Sequence, residues 1–142
     1  MDLSTPLKQQ LVESCPWLFE ELGFVILYDD YDPKNFGDSI VILKSSSLRL
    51  RFVRDRGQVV AYVRSAADPD PEKWWSVGCV LEAINGKLPE SSFELVVVAT
   101  HLRGNLPALI EAMGPRYWET RSELERRAAE RLRELQQPGT GR

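Results

Sequence analysis

Between residues 48 and 63 apolar and polar positions alternate almost without a break: LRLRFV, a charged interruption, then QVVAYV. A period of two is the mark of a β-strand with one buried face. The register of the pair follows from which residues share a face. A loop of even length sets Leu48, Leu50 and Phe52 beside Val59, Ala61 and Val63, whereas an odd loop mixes that set with Val60 and Tyr62. A slip of one residue turns every side chain over, so the all-apolar face selects the even loop. A four-residue loop, Arg54-Asp55-Arg56-Gly57, meets the condition and ends on a glycine, which takes a left-handed conformation at little steric cost.

Two further strand patterns precede this hairpin. FVILYDD (24–30) and SIVILK (39–44) are rich in β-formers, with DYDPKNFG as a loop between them and SSS (45–47) as the next turn. Connections this short favour an antiparallel meander. Ahead of the strands, Leu7, Leu11, Leu18 and Leu22 share one helical face, with Ser4 or Thr5 as cap and Gly23 as stop. Pro16 has no N–H to give the carbonyl of Val12, so this helix is expected to kink or restart there.

The remainder reads as helix. Asp70 and Pro71 suit a cap and first position, followed by the stripe Trp74, Val77, Leu81, Ile84 and Leu88, with Gly86 as terminator. The VVV of residues 92–103 favours strand, but the run is long and lacks turn signals, which favours helix. Asn105 is placed to cap a helix over 106–113, and Pro115 opens a long one to about Leu135. Leu124, Ala128, Leu132 and Leu135 would form its inner face, and Glu123 and Arg127 an i,i+4 pair on its outer one. The expected fold is α+β: a four-stranded antiparallel meander with one N-terminal helix and three to four C-terminal helices packed on it. One domain would span 1–137, with a disordered tail at 138–142.

Composition narrows the function. The chain has 142 residues, 43% hydrophobic and 27% charged, the balance of a globular protein with one core. It holds no apolar run near the ~18 residues of a membrane span, and no signal-peptide layout at MDLSTPLKQQ, so neither membrane nor export is expected. Cys15 and Cys79 read as reduced thiols of a cytoplasmic protein. A net charge of −3 disfavours a general nucleic-acid binder.

Chemical motifs are few. His101 is the one histidine, and neither cysteine stands at metal-ligand spacing to it. It would also have to be the sole base of any Ser-His-Asp or Cys-His unit. Asp29, Asp30, Asp32 and Asp38 crowd one segment, and Asp30 and Asp32 have D-x-D spacing. A calcium loop would need glycine where Asn35 stands and glutamate where Val41 stands. No metal, cofactor or catalytic set is expected. Trp75, about 100° around a helix from Trp74, would be exposed to a partner while Trp74 enters the core.

The second face of the hairpin is the most informative surface. It carries Arg49, Arg51, Val53, Val60, Tyr62 and Arg64. A sheet with one wet face alternates more cleanly than this, so either the C-terminal helices or a partner should cover it. Arginine and tyrosine are common anchors of protein interfaces. The expected partner-binding residues are Arg49, Arg51 and Tyr62 on the face, Arg54 and Arg56 at the loop rim, and Trp75.

The segments FGDSIVILKSSSLRLRFVRDRGQVVAYV, PEKWWSVGCVLEAI, HLRGNLPALIEAM and WETRSELERRAAERLREL together resemble small uncharacterised bacterial proteins. Some of those are similar to the immunity proteins encoded beside polymorphic toxins. The likeness covers roughly residues 22 to 135 and carries no catalytic signature. It implies a protein partner, a toxin, and an inhibitor that acts by binding. The expected function is therefore a non-catalytic protein-binding module, including an immunity-type inhibitor. The alternatives are a small enzyme using the Asp29–Asp38 carboxylates and a self-associating structural protein.

Overall fold

The computed structural model describes residues 4–89 and 92–136; the tail expected at 138–142 lies outside them. The fold is α+β. In chain order the described residues form helices α1 (Leu7–Ser14) and α2 (Pro16–Glu20), then strands β1 (Val25–Asp32), β2 (Asp38–Lys44), β3 (Arg49–Asp55), β4 (Gln58–Arg64) and β5 (Trp75–Ser76). Helices α3 (Val77–Asn85), α4 (Leu95–Gly104), α5 (Leu106–Met113) and α6 (Tyr117–Gln136) follow. Each strand lies antiparallel to the next in one open sheet. The meander thus has five strands where four were expected. The extra strand pairs only Trp75 with Val63 and Ser76 with Tyr62, too short a run to leave a periodic trace in the sequence.

Pro16 divides the N-terminal helix in two. Cys15 closes α1 by donating its N–H to Leu11 at 2.8 Å, and Pro16 opens α2 at a position whose N–H needs no helical partner. Strands β2, β3 and β4 alternate between buried and half-buried positions. Their buried set, Val41, Leu43, Leu50, Phe52, Val59, Ala61 and Val63, forms one core with residues from every helix, among them Leu11, Leu18, Leu81, Leu102, Leu109 and Leu124. Each fully buried leucine contributes roughly 1.5–3 kcal/mol.

The β3–β4 hairpin has the even-length loop that keeps the apolar set on one face, but that loop has two residues, not four. Arg54 pairs with Val59 and Asp55 with Gln58, leaving Arg56 and Gly57 as the turn. Both have positive φ, 52° and 83°, as a type I′ turn requires. Such a turn follows the right-handed twist of its strands. With four loop residues Val53 would face Gln58; with two, β3 runs two residues further and Val53 faces Val60, so the faces stay as expected while the pairing moves by two residues.

The helix expected from Asp70 begins later. Ser76 is the cap, its side chain accepting the N–H of Cys79 at 3.1 Å, and Gly86 ends α3 with φ 83°. Residues 65–74 form a connection held by a buried polar cluster. Tyr117 and Arg121 of α6 both donate to Oδ2 of Asp68, Arg121 at 2.9 Å, while the N–H of Asp70 donates to Oδ1 at 2.9 Å. The hydrogen bond from Tyr117 is the chief cause that holds the Asp68 carboxyl below its usual value, helped by Asp70 and Arg121 and opposed by burial. Burial, then the bond to Asp68, pushes the Tyr117 hydroxyl up. The cluster ties the end of the sheet to the last helix.

Residues 95–104 are helical, as the absence of turn signals predicts. The inner stripe expected along α6 ends early. Leu124 is buried, but Ala128, Leu132 and Leu135 are exposed, because the helix runs past the core. Charges support this part. Glu123 accepts from Arg127 at 2.6 Å and Arg126 at 2.8 Å, and these two guanidinium groups hold its carboxyl down at about 2. Arg127 and Arg131 also reach Glu82 of α3.

Candidate functional site

The helices share their core with one side of the sheet only. Ile40, Ile42, Val53, Val60 and Tyr62 belong neither to that core nor to the half-buried residues packed against it. They form the opposite face. Cross-strand pairing arranges this face in four rows, because paired residues project on the same side. The first row is Val25, Lys44, Arg49 and Arg64. The second is Tyr28, Ile42, Arg51, Tyr62 and Ser76, and the third Asp30, Ile40, Val53 and Val60. The fourth pairs Asp32 with Asp38 and Asp55 with Gln58. The face is basic at one end and acidic at the other, and its two middle rows are largely apolar, with Arg51 and Asp30 as their charged members.

Arg51 lies at its centre. Its guanidinium carbon is 4.6 Å from the centroid of the Tyr62 ring and 4.8 Å from that of Trp74. Each contact is worth roughly 0.5–1 kcal/mol at a surface and fixes the orientation of the side chain. Its Nε is buried and has no hydrogen-bond partner among the described residues. Trp74 therefore serves the outer face, and Trp75 does not. Trp75 packs on the core, and its Nε1 donates to the Tyr117 hydroxyl at 3.4 Å. The expected placement of the two tryptophans is reversed, because both precede α3: Trp75 belongs to β5 and pairs with Val63 of the core side, while Trp74 ends the connection before it.

Arg49 and Arg51 sit on the face as the alternation predicts, and Arg56 stands at the turn, its guanidinium 5.5 Å from the Phe36 ring centroid. Arg54 is not at the loop rim. It is a strand residue on the core side, with 0% of its surface exposed. Its Nε and Nη2 donate to the carbonyl of Gly37 at 3.0 and 2.7 Å, and Nη1 donates to Gln10 at 2.9 Å. It joins the β1–β2 connection to α1 and is withdrawn from any partner.

The acidic segment is mostly strand. Asp29 pairs with Val41 and so projects to the opposite side from Asp30 and Asp32. Asp38 accepts the N–H of Arg56 at 2.9 Å, and Asp32 that of Lys34 at 3.1 Å. Among the described residues no three His, Cys, Asp or Glu side chains converge as a metal ion needs. His101 lies on α4 beside an apolar cavity of about 220 Å³ lined by Val59, Leu81 and Phe93, with its Nε2 buried and without a hydrogen-bond partner among the described residues. Cys15 is buried, which raises its thiol pKa, and Cys79 is half-buried.

Comparison of the chain with family models, curated proteins and solved structures returned no match. No described helix is long and apolar enough to cross a membrane.

Sequence reasoning found Arg49, Arg51 and Tyr62 but missed Trp74, Lys44, Ile40, Ile42 and the acidic row. The signal was present for β2: carrying the β3 alternation one strand back places Lys44, Ile42, Ile40 and Asp38 on the face. For β1 it was not. A bulge between Ile26 and Tyr28 shifts the register, so the strand's apolar residues do not show which side they face.

Proposed function

We propose that this chain is a non-catalytic protein-binding module that engages its partner through the open face of the sheet. One observation carries the reading: Arg51 is held against Tyr62 and Trp74 on a face that contributes nothing to the core. A guanidinium already fixed by two rings has less conformational freedom to lose on binding. It is a ready donor to a carboxylate, and the ring edges and isoleucines beside it offer apolar area. The division of the four aspartates between two sides of β1 and β2 supports binding over a carboxylate-based enzyme. The resemblance to immunity proteins adds the specific form of an inhibitor that covers a toxin.

The test is the double variant Arg49→Ser, Arg51→Ser. Neither residue is in the core, so circular dichroism should show an unchanged fold. Calorimetry against the cognate partner, supplied from the neighbouring gene, should show binding weakened by at least ~2 kcal/mol. Equal affinity would remove the face from the binding site.

A further inference from the structure

The end rows of the open face are arranged at a cost. Lys44 lies directly opposite Arg49, and Arg49 opposite Arg64. At the other end Asp32 lies opposite Asp38. Like charges directly across a ladder destabilise it. Every ion pair among the described residues lies elsewhere, so neither row is neutralised by ion pairing within them. What would neutralise both rows is a surface with an acidic row, an apolar middle and a basic row, in that order and at the same spacing. The face itself is such a surface when turned end for end.

We infer that the partner of the open face is a second copy of this chain, packed sheet to sheet about a two-fold axis running across the strands. The inference rests on the proposed reading of the face as a binding surface, and names its occupant. The register fixes where the axis falls. Asp29, Val41, Phe52 and Ala61 lie in one line across β1 to β4, with two outer-face rows on each side of it. An axis above that line exchanges the first row with the fourth and the second with the third. Lys44 of one copy then faces Asp38 of the other, and Arg49 faces Asp55. Ile42 meets Ile40, and Tyr62 meets Val60. Each contact occurs twice, as an isologous interface requires. Aligned sheets pack about 10 Å apart and within about 30° of each other, so the pairs on β2 and β3, nearest the centre, keep their register best. Four strands of seven to eight residues span roughly 19 by 23 Å, a small interface that implies a weak, salt-sensitive dimer. A heterologous partner would have to displace the second copy.

The test is sedimentation velocity of the full chain from about 1 µM to about 500 µM, where a micromolar dimer passes from monomer to dimer. The expected result is a mass that doubles with concentration, with weaker association in high salt. Arg49→Asp alone and Asp55→Arg alone should each weaken dimerisation at least about tenfold, since each sets like charges face to face at both copies of the contact. Neither change should harm folding; the first removes two cross-strand repulsions, and circular dichroism checks both. An equimolar mixture of the two variants should dimerise again, because an acidic 49 then meets a basic 55 and an acidic 55 a basic 49. Failure of the mixture to recover, or a dimer indifferent to both changes, overturns the inference. A chain that stays monomeric while a dissolved paramagnetic agent relaxes the methyls of Ile40 and Ile42 overturns the second copy and leaves the face open to another protein. A monomer in which those methyls are shielded overturns the proposed function as well.

Discussion

Arg54 lies on β3 and Gly37 in the connection just before β2, and the guanidinium of the first closes on the carbonyl of the second with two hydrogen bonds, at 3.0 and 2.7 Å. Gly37 has a positive φ of 68°, as has Phe36 before it at 57°, and the Arg54 guanidinium ties this left-handed part of the β1–β2 connection to β3. Charge-assisted bonds of this kind are worth about 1.5–3 kcal/mol each, and burying the carbonyl without them costs much of that. Arg54→Ala should therefore lower stability by about 3 kcal/mol or more in urea unfolding. Arg54→Lys should recover only part of the loss, because an ammonium cannot fork to Gly37 and also reach Gln10. A loss below about 1 kcal/mol for the alanine variant would mean that the arginine is not a structural tie.

The turn makes a second, smaller prediction. Gly57 has φ 83°, where a Cβ is disfavoured. Gly57→Ala should cost about 1 kcal/mol, read as a lower urea midpoint at unchanged slope. An unaltered midpoint would contradict the type I′ geometry.

The same residues show how much of this fold the sequence makes legible. Alternation over residues 48–63 was enough to assign the faces, because six inward positions, Leu48, Leu50, Phe52, Val59, Ala61 and Val63, had to be apolar together. It was not enough for the loop length. Arg54 looks like a loop residue in the sequence, and the acceptors at Gly37 and Gln10, reached from its place on β3, make a buried arginine tolerable there. The Trp74–Trp75 pair was misread for a related reason. Asp70 and Pro71 have the form of a helix start, yet Asp68 and Asp70 are used to fold the connection back toward Tyr117. Local signals gave the elements, and long-range polar contacts decided where they begin. On the open face, Arg51 was legible from period alone, but its Trp74 partner was not, since Trp74 lies in the connection before β5, outside any periodic run.

Acid should act through Asp68. Its carboxyl is lowered from an ordinary 3.8, above all by the hydrogen bond from Tyr117. A group depressed in the folded state adds stability that is fully present above its unfolded pKa and is lost as pH falls through the folded one. Stability should thus decline below about pH 4, with Asp68 among the groups responsible. Tyr117→Phe removes the main cause of the shift. It should be less stable at neutral pH, and its urea midpoint should fall less steeply with acid below that pH. A parallel curve for the two proteins would show that Tyr117 does not set the Asp68 carboxyl.

Two adjacent residues of β2 test the central claim, that the second face of the sheet lies outside the chain's own core. Ile42 projects to that face and Leu43, fully buried, to the core. Urea unfolding should be compared for Ile42→Lys and Leu43→Lys, each against wild type at a concentration low enough to keep the chain monomeric. The account predicts that Ile42→Lys changes stability by less than about 1 kcal/mol, and that Leu43→Lys costs more than about 4 kcal/mol or prevents folding, because it buries an unpaired charge. Comparable large losses for both would contradict it, since they would place both faces of the sheet inside one hydrophobic core.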